Sequence, residues 1–125
     1  MRTVGAADIE AFAEVSGDNN PVHLDDAYAK ATPFGERIAH GMLSAAYISA
    51  VLGTRLPGPG AIYLSQSLRF RRPVKIGDVV AARVTVQSLD ERGRATLATV
   101  CEVSGKTVVD GEATVMVPRR DGAGA

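Results

Sequence analysis

The segment from Gly41 to Leu52 constrains the fold most. Met42, Leu43, Ala45, Ala46, Tyr47, Ile48, Ala50, Val51 and Leu52 leave hardly a face of it without an apolar side chain. A helix that is apolar all round is a buried helix. Its small residues, Ser44, Ala45, Ala46, Ser49 and Ala50, let a sheet lie close along it. Gly53 is expected to end this helix, and Leu56-Pro57-Gly58-Pro59-Gly60 reads as a loop. Upstream, Ile9, Phe12 and Ala13 repeat at helical spacing over Ala6 to Ser16. Asp8 and Glu10 suit the first turn of that helix, and Gly17 its end. Asp25 to Ala31 reads as a short, acid-led second helix stopped by Pro33.

Beyond the loop the period changes to two. Apolar residues alternate over Ile62 to Arg71, where Gln66 interrupts the apolar face, and over Val80 to Gln87, Arg94 to Val103 and Val108 to Val117, the pattern of half-buried strands. Asp90-Glu91-Arg92-Gly93 and Ser104-Gly105-Lys106 are hairpin turns, which make the last three strands antiparallel. A fifth strand is available only from the very short Met1 to Val4. Helices first and strands after is the α+β order. With one buried helix, it predicts an antiparallel sheet wrapped around that helix as a single domain over residues 1–118. Residues 119–125 are polar and Gly/Ala-rich, a tail expected to fray. An open sheet of this size leaves edges to manage, so pairing in a homodimer is expected.

Composition removes several function classes. Lys+Arg and Asp+Glu balance at 14 each, whereas a nucleic-acid-binding domain carries a basic excess. The longest apolar run is about half of what a bilayer crossing needs, and Met1 to Gly5 holds no signal-peptide core. The single Cys101 makes an internal disulfide impossible and a zinc site unexpected. It lies on an apolar strand face and reads as core. A cytoplasmic protein is the expectation.

Chemistry concentrates in Ser16-Gly17-Asp18-Asn19-Asn20-Pro21-Val22-His23 and in Ala39-His40-Gly41-Met42. Asn19-Asn20-Pro21 favours a turn, which can point Asp18 and His23 into one small volume with a water between them. Gly41 opens the buried helix, so its N–H is free of the helix's own bonding and carries the positive end of the dipole. Glycine also lets a ligand approach the backbone. Donor and acid/base pair together suit a thioester or ketone carbonyl with a proton moving at the neighbouring carbon. The plainer alternative has Asp18 capping the backbone and His23 in solvent. His40 reads as a structural residue at the helix start.

Ser-Gly-Asp-Asn-Asn-Pro-Val-His followed by Phe-Gly-Glu-Arg-Ile-Ala-His-Gly-Met-Leu resembles the MaoC-like family, in particular its (R)-specific enoyl-CoA hydratases. The likeness continues through Leu56 to Gln66 and through Arg72-Pro73-Val74-Lys75-Ile76-Gly77-Asp78. It implies a hot-dog fold. It also implies reversible addition of water to a trans-2-enoyl thioester, giving a (3R)-hydroxyacyl thioester. By the same resemblance Asp18 and His23 match the catalytic pair, with Asp18 the principal base and His23 sharing the water. Gly41 matches the glycine that receives the thioester oxygen, Asn20 the asparagine that holds the turn, and Ser49 a supporting serine. No metal or redox cofactor is implied; the acyl group would arrive on coenzyme A or an acyl carrier protein. Family members usually carry a strand and a turn before the first helix, and this chain begins almost at that helix. Two other classes fit a hot-dog domain: an acyl-thioesterase, and a non-catalytic subunit that binds acyl thioesters. Arg69, Arg71, Arg72 and Lys75 form a basic cluster suited to the phosphates of the carrier or to a solvated strand face. Phe34 and Tyr47 are candidates for the acyl tunnel.

Overall fold

In a computed structural model, which describes residues 1–118, the chain runs β1 (Arg2–Thr3), α1 (Ala6–Ser16), α2 (Pro21–Leu24), α3 (Asp26–Lys30), α4 (Gly41–Thr54), β2 (Ile62–Phe70), β3 (Val79–Leu89), β4 (Arg94–Val103) and β5 (Lys106–Met116). One five-stranded sheet has the order β1-β3-β4-β5-β2, with every pairing antiparallel. The sheet curls around α4, the α+β hot-dog arrangement. Ser104 and Gly105 both take positive φ, 51° and 77°, which matches the twist of the two-residue hairpin between β4 and β5. At the β3–β4 turn the Asp90 carboxylate accepts from the N–H groups of Arg92 and Arg94 at 2.9 and 2.8 Å.

The core lies between α4 and the middle strands. Leu43, Ile48 and Leu52 from the helix pack with Leu97, Cys101, Val109, Ala113 and Val115 from β4 and β5. Ala95, Leu97, Thr99 and Cys101 are all buried, as the alternation of β4 requires. Burial pushes the Cys101 thiol up to about 11, so it stays neutral and packs as a small apolar group. The expected N-terminal strand is present as β1, paired with β3 through Arg2↔Val80 and Thr3↔Val79. Val4, 1% exposed, then seals the core beside it. The Arg2 guanidinium lies 5.5 Å from the centre of the Tyr47 ring, a cation–π contact that ties the edge strand to α4.

Several expectations need correction. α4 runs past Gly53 to Thr54. Nor is it enclosed on every side: Leu43, Ser44, Tyr47, Ile48 and Leu52 are buried, but Met42, Ala46, Ser49 and Ala50 are exposed. The physical reason is that one curled sheet covers only one side of a helix. For the same reason the apolar side of the edge strand β2 stays open, with Ile62, Leu64 and Phe70 about half exposed. The short acid-led helix is present as α3, and a single helical turn, α2, precedes it where only a turn is expected, taking in Pro21 and His23. Proline is excluded from helix interiors but suits the first position, where its missing N–H costs nothing. The tail at 119–125 lies outside the described residues.

Gly111, inside β5, is a position the alternation pattern does not flag. A Cβ there would fall into the Ser67 carbonyl of β2. Gly111→Ala is therefore expected to cost about 3 kcal/mol or more in urea denaturation. Gly53→Ala, which meets open space on α4, is expected to gain roughly 0.5–1 kcal/mol.

Candidate active site

Asp18 sits in the loop between α1 and α2. Gly17 closes α1 in the left-handed conformation at φ 79°, which turns the chain toward the N-terminus of α4. The Asp18 carboxylate accepts from Asn20 N–H at 3.3 Å, and the Asn20 side chain caps α2 by accepting from Val22 N–H at 3.2 Å. That cap starts the single turn on which His23 stands. His23 is 8% exposed. Its Nδ1 lies 2.7 Å from the Ile38 carbonyl. A carbonyl only accepts, so Nδ1 is the donor there and Nε2 is the ring nitrogen left for chemistry. Arg37 Nε donates to the His23 carbonyl at 2.7 Å and holds the turn from the other side.

The segment before α4 is pinned as well. Ala39 N–H donates to the Val74 carbonyl at 2.7 Å, and Ile38 N–H to the Val22 carbonyl at 3.3 Å. These bonds bring His40 and Gly41 against the α2 turn. The His23 and His40 rings stack with centroids 4.0 Å apart, and Phe12 packs on His40 at 4.9 Å. His40 Nε2 lies 2.9 Å from the Asp18 backbone carbonyl, so it is the donor there. Its Nδ1 is buried without a partner.

Asp18, His23 and His40 each present one side-chain atom within 4.8 Å of the others, a set that invites comparison with a metal triad. The stack argues against regular coordination. Ring planes inclined by 30° with centroids 4.0 Å apart meet some ~7 Å away, while a shared metal must lie in both planes about 2 Å from each nitrogen. A carboxylate and an imidazole lone pair this close are suited instead to one water.

His23, His40 and Gly41 line a common cavity of about 480 Å³, together with Phe34, Phe70, Arg71 and Arg72. Its walls are mainly apolar side chains, and the first residues of α4, Gly41 and Met42, stand in them. Gly41 has a reason to be glycine: a Cβ there would stand 2.6 Å from carbons of the Phe70 ring. Ser49 is not part of this group. It lines a second cleft between α4 and β2, with Ala46, Tyr63, Leu64 and Gln66, and only Met42 borders both. Tyr47 is buried in the core, its hydroxyl pushed up chiefly by burial, and lines neither opening. Of the basic cluster, Arg71 pairs with Asp110 at 2.7 Å and Lys75 with Glu36 at 3.8 Å. Arg72 Nη1 donates to the Thr107 carbonyl at 2.7 Å. Sequence spacing misses Arg37 and Phe70, because both reach the site by tertiary packing.

Residues 1–109 match the family model described as MaoC like domain. The chain is 59% identical to an (R)-specific enoyl-CoA hydratase of Rhodospirillum rubrum, over 95% of this chain and 83% of that one. It is 54% identical to a 3-hydroxybutyryl-CoA dehydratase of Methylorubrum extorquens, over 98% of this chain and 78% of the relative. Among solved structures, the (R)-hydratase of A. caviae superposes with a TM-score of 0.91 at 49% identity, covering 94% of this chain and 90% of that one.

The Asn20 cap carries the test of the local geometry. Asn20→Ala is expected to lower stability by about 1 kcal/mol in urea denaturation, while Asn20→Asp, which keeps an acceptor, stays within a few tenths.

Proposed function

The chain belongs to the MaoC-like domain family, and on that premise we propose that His23 and Gly41, which line the cavity at the N-terminal end of α4, hydrate enoyl thioesters together with Asp18, which stands beside His23 outside that lining. The protein is an (R)-specific enoyl-CoA hydratase and (3R)-hydroxyacyl-thioester dehydratase, a hydro-lyase working in both directions. The observation that carries the site assignment is the His23 ring, fixed through Nδ1 on the Ile38 carbonyl and set beside the Asp18 carboxylate.

The chemistry follows from these positions. A water between Asp18 and His23 attacks C3 of the trans-2-enoyl thioester, and its proton passes to the pair. The electrons move through C2 to the thioester oxygen, where the Gly41 N–H and the N-terminal end of α4 hold the developing charge. The same pair returns a proton to C2 and completes the (3R)-hydroxyacyl thioester. Asp18 is the principal base, Asn20 holds the turn, and Ser49 supports the site only from the neighbouring cleft. No step calls for a metal or a redox group. Arg72, exposed at the cavity rim, supplies a cation for a carrier phosphate, with coenzyme A the preferred carrier and an acyl carrier protein the alternative. A cytoplasmic setting suits an enzyme of coenzyme A thioesters whose one thiol is buried and unpaired.

A homodimer completes the fold. The exposed stripe of α4 (Met42, Ala46, Ser49) and the open side of β2 (Tyr63, Leu64) line one apolar cleft. β2 is bonded only to β5, so its other edge can pair with a second copy.

Asp18→Asn and His23→Gln are each expected to lower kcat by about 10²–10⁴-fold. The readout is loss of enoyl absorbance from crotonyl-CoA without release of free thiol. Near wild-type rates in both variants would sink the assignment, and thiol release would indicate a thioesterase. Leu64→Glu is expected to shift the protein from dimer to monomer in sedimentation velocity; an unchanged mass would contradict the interface.

A further inference from the structure

His40 is the one imidazole that the hydration chemistry leaves unused, and its surroundings are unusual. It is 2% exposed, and its Nδ1 has no partner. A leucine or methionine would fill the same volume without stranding a nitrogen, and buried unsatisfied groups cost stability. What an imidazole supplies here is a donor and a flat face. The Nε2–H bonds the Asp18 carbonyl at 2.9 Å, across 22 residues of sequence. The ring face lies on His23 at 4.0 Å. Its own backbone is the N-cap of α4, directly before Gly41.

The Asp18 loop otherwise has only local ties. Asp18 N–H donates to Ser16 Oγ at 3.1 Å, its carboxylate accepts from Asn20 N–H at 3.3 Å, and Asn19 N–H donates to the Gly17 carbonyl at 3.1 Å. Among the described residues, the His40 bond is the long-range tie on Gly17–Asn20, whose other hydrogen bonds reach no farther than Ala13 on one side and Val22 and His23 on the other. His23 is held separately, through Ile38 and Arg37. Asp18 and His23 are thus joined locally through the Asn20 turn, where His23 N–H donates to the Asn20 carbonyl at 3.0 Å, and His40 is the distant side chain that touches both.

We propose that His40 is a positioning residue for hydration: it fixes the separation of Asp18 from His23, and so the seat of the attacking water, without itself exchanging a proton with substrate. The inference rests on the hydratase reading above. Misplacing a catalytic group by about 1 Å costs on the order of 10²-fold in rate, and loosening the Asp18 loop would produce a displacement of that order. The substrate's binding surfaces, the cavity walls and the α4 N-terminus, would be left alone. The defect should therefore fall on kcat and spare KM.

Three variants separate the donor from mere bulk. His40→Leu keeps an apolar filler and removes the donor. His40→Gln can place an amide N–H where Nε2 stood, and His40→Asn places one where Nδ1 stood. Steady-state hydration of crotonyl-CoA is expected to show kcat about 10²-fold lower for His40→Leu and His40→Asn, with KM within about threefold of wild type. His40→Gln is expected to recover most of kcat. Wild-type kcat in His40→Leu would overturn the proposal, as would equal losses in the Gln and Asn variants or a KM that rises in step with the loss. Should His40→Leu not fold, the Gln and Asn pair decides alone: recovery by Gln only supports positioning, and equal rates overturn it. Silence of the wild-type protein toward enoyl thioesters is a different result, which sinks the hydratase reading itself.

Discussion

The burial of one side of α4 against the curled sheet is the constraint on which the site depends. Leu43, Ile48 and Leu52 are gripped by Leu97, Cys101, Val109 and Val115, so the helix has little freedom to slide or turn. Its first residues therefore occupy a fixed place. Gly41 lines the cavity, and His40 reaches back to the Asp18 loop and onto the His23 ring. Losing that packing would separate the carbonyl-binding end from the acid/base end. The core and the chemistry share one helix.

The other side of α4 follows a different logic. A sheet of five strands wraps one side and stops, which leaves Met42, Ala46 and Ser49 facing the open side of β2. An isolated chain would keep this apolar cleft in water at a cost of roughly 25 cal/mol for each Å² left uncovered. The proposed pairing with a second copy would relieve that cost and satisfy the free edge of β2 together. Met42, which borders both the cavity and this cleft, makes assembly and substrate binding neighbours.

Much of this was legible in the sequence. Period alone located the strands and the hairpins, because alternation and turn chemistry are local properties. The Asp18 and His23 spacing and the glycine before an apolar helix were legible for the same reason. Facing was not. The apolar character of Gly41 to Leu52 predicted burial on every side, and it cannot tell cover by the chain's own sheet from cover by a partner. The family resemblance groups Ser49 with the site, yet the helix turns it into the next cleft. By local pattern His40 is a structural residue at the helix start. Its bond to Asp18 spans 22 residues, and no local pattern encodes such a contact. Gly111 escaped because its reason lies on the neighbouring strand.

Oxygen tracing tests the central claim most directly. Crotonyl-CoA is incubated with the protein in ¹⁸O-labelled water, and the product is analysed by mass spectrometry and chiral chromatography. A water seated by Asp18 and His23 beside a polarised thioester should place one label on the C3 hydroxyl of an intact (R)-3-hydroxybutyryl-CoA. Label in a free carboxylate, with coenzyme A released, would contradict the claim, as would label at C3 in the (S) product.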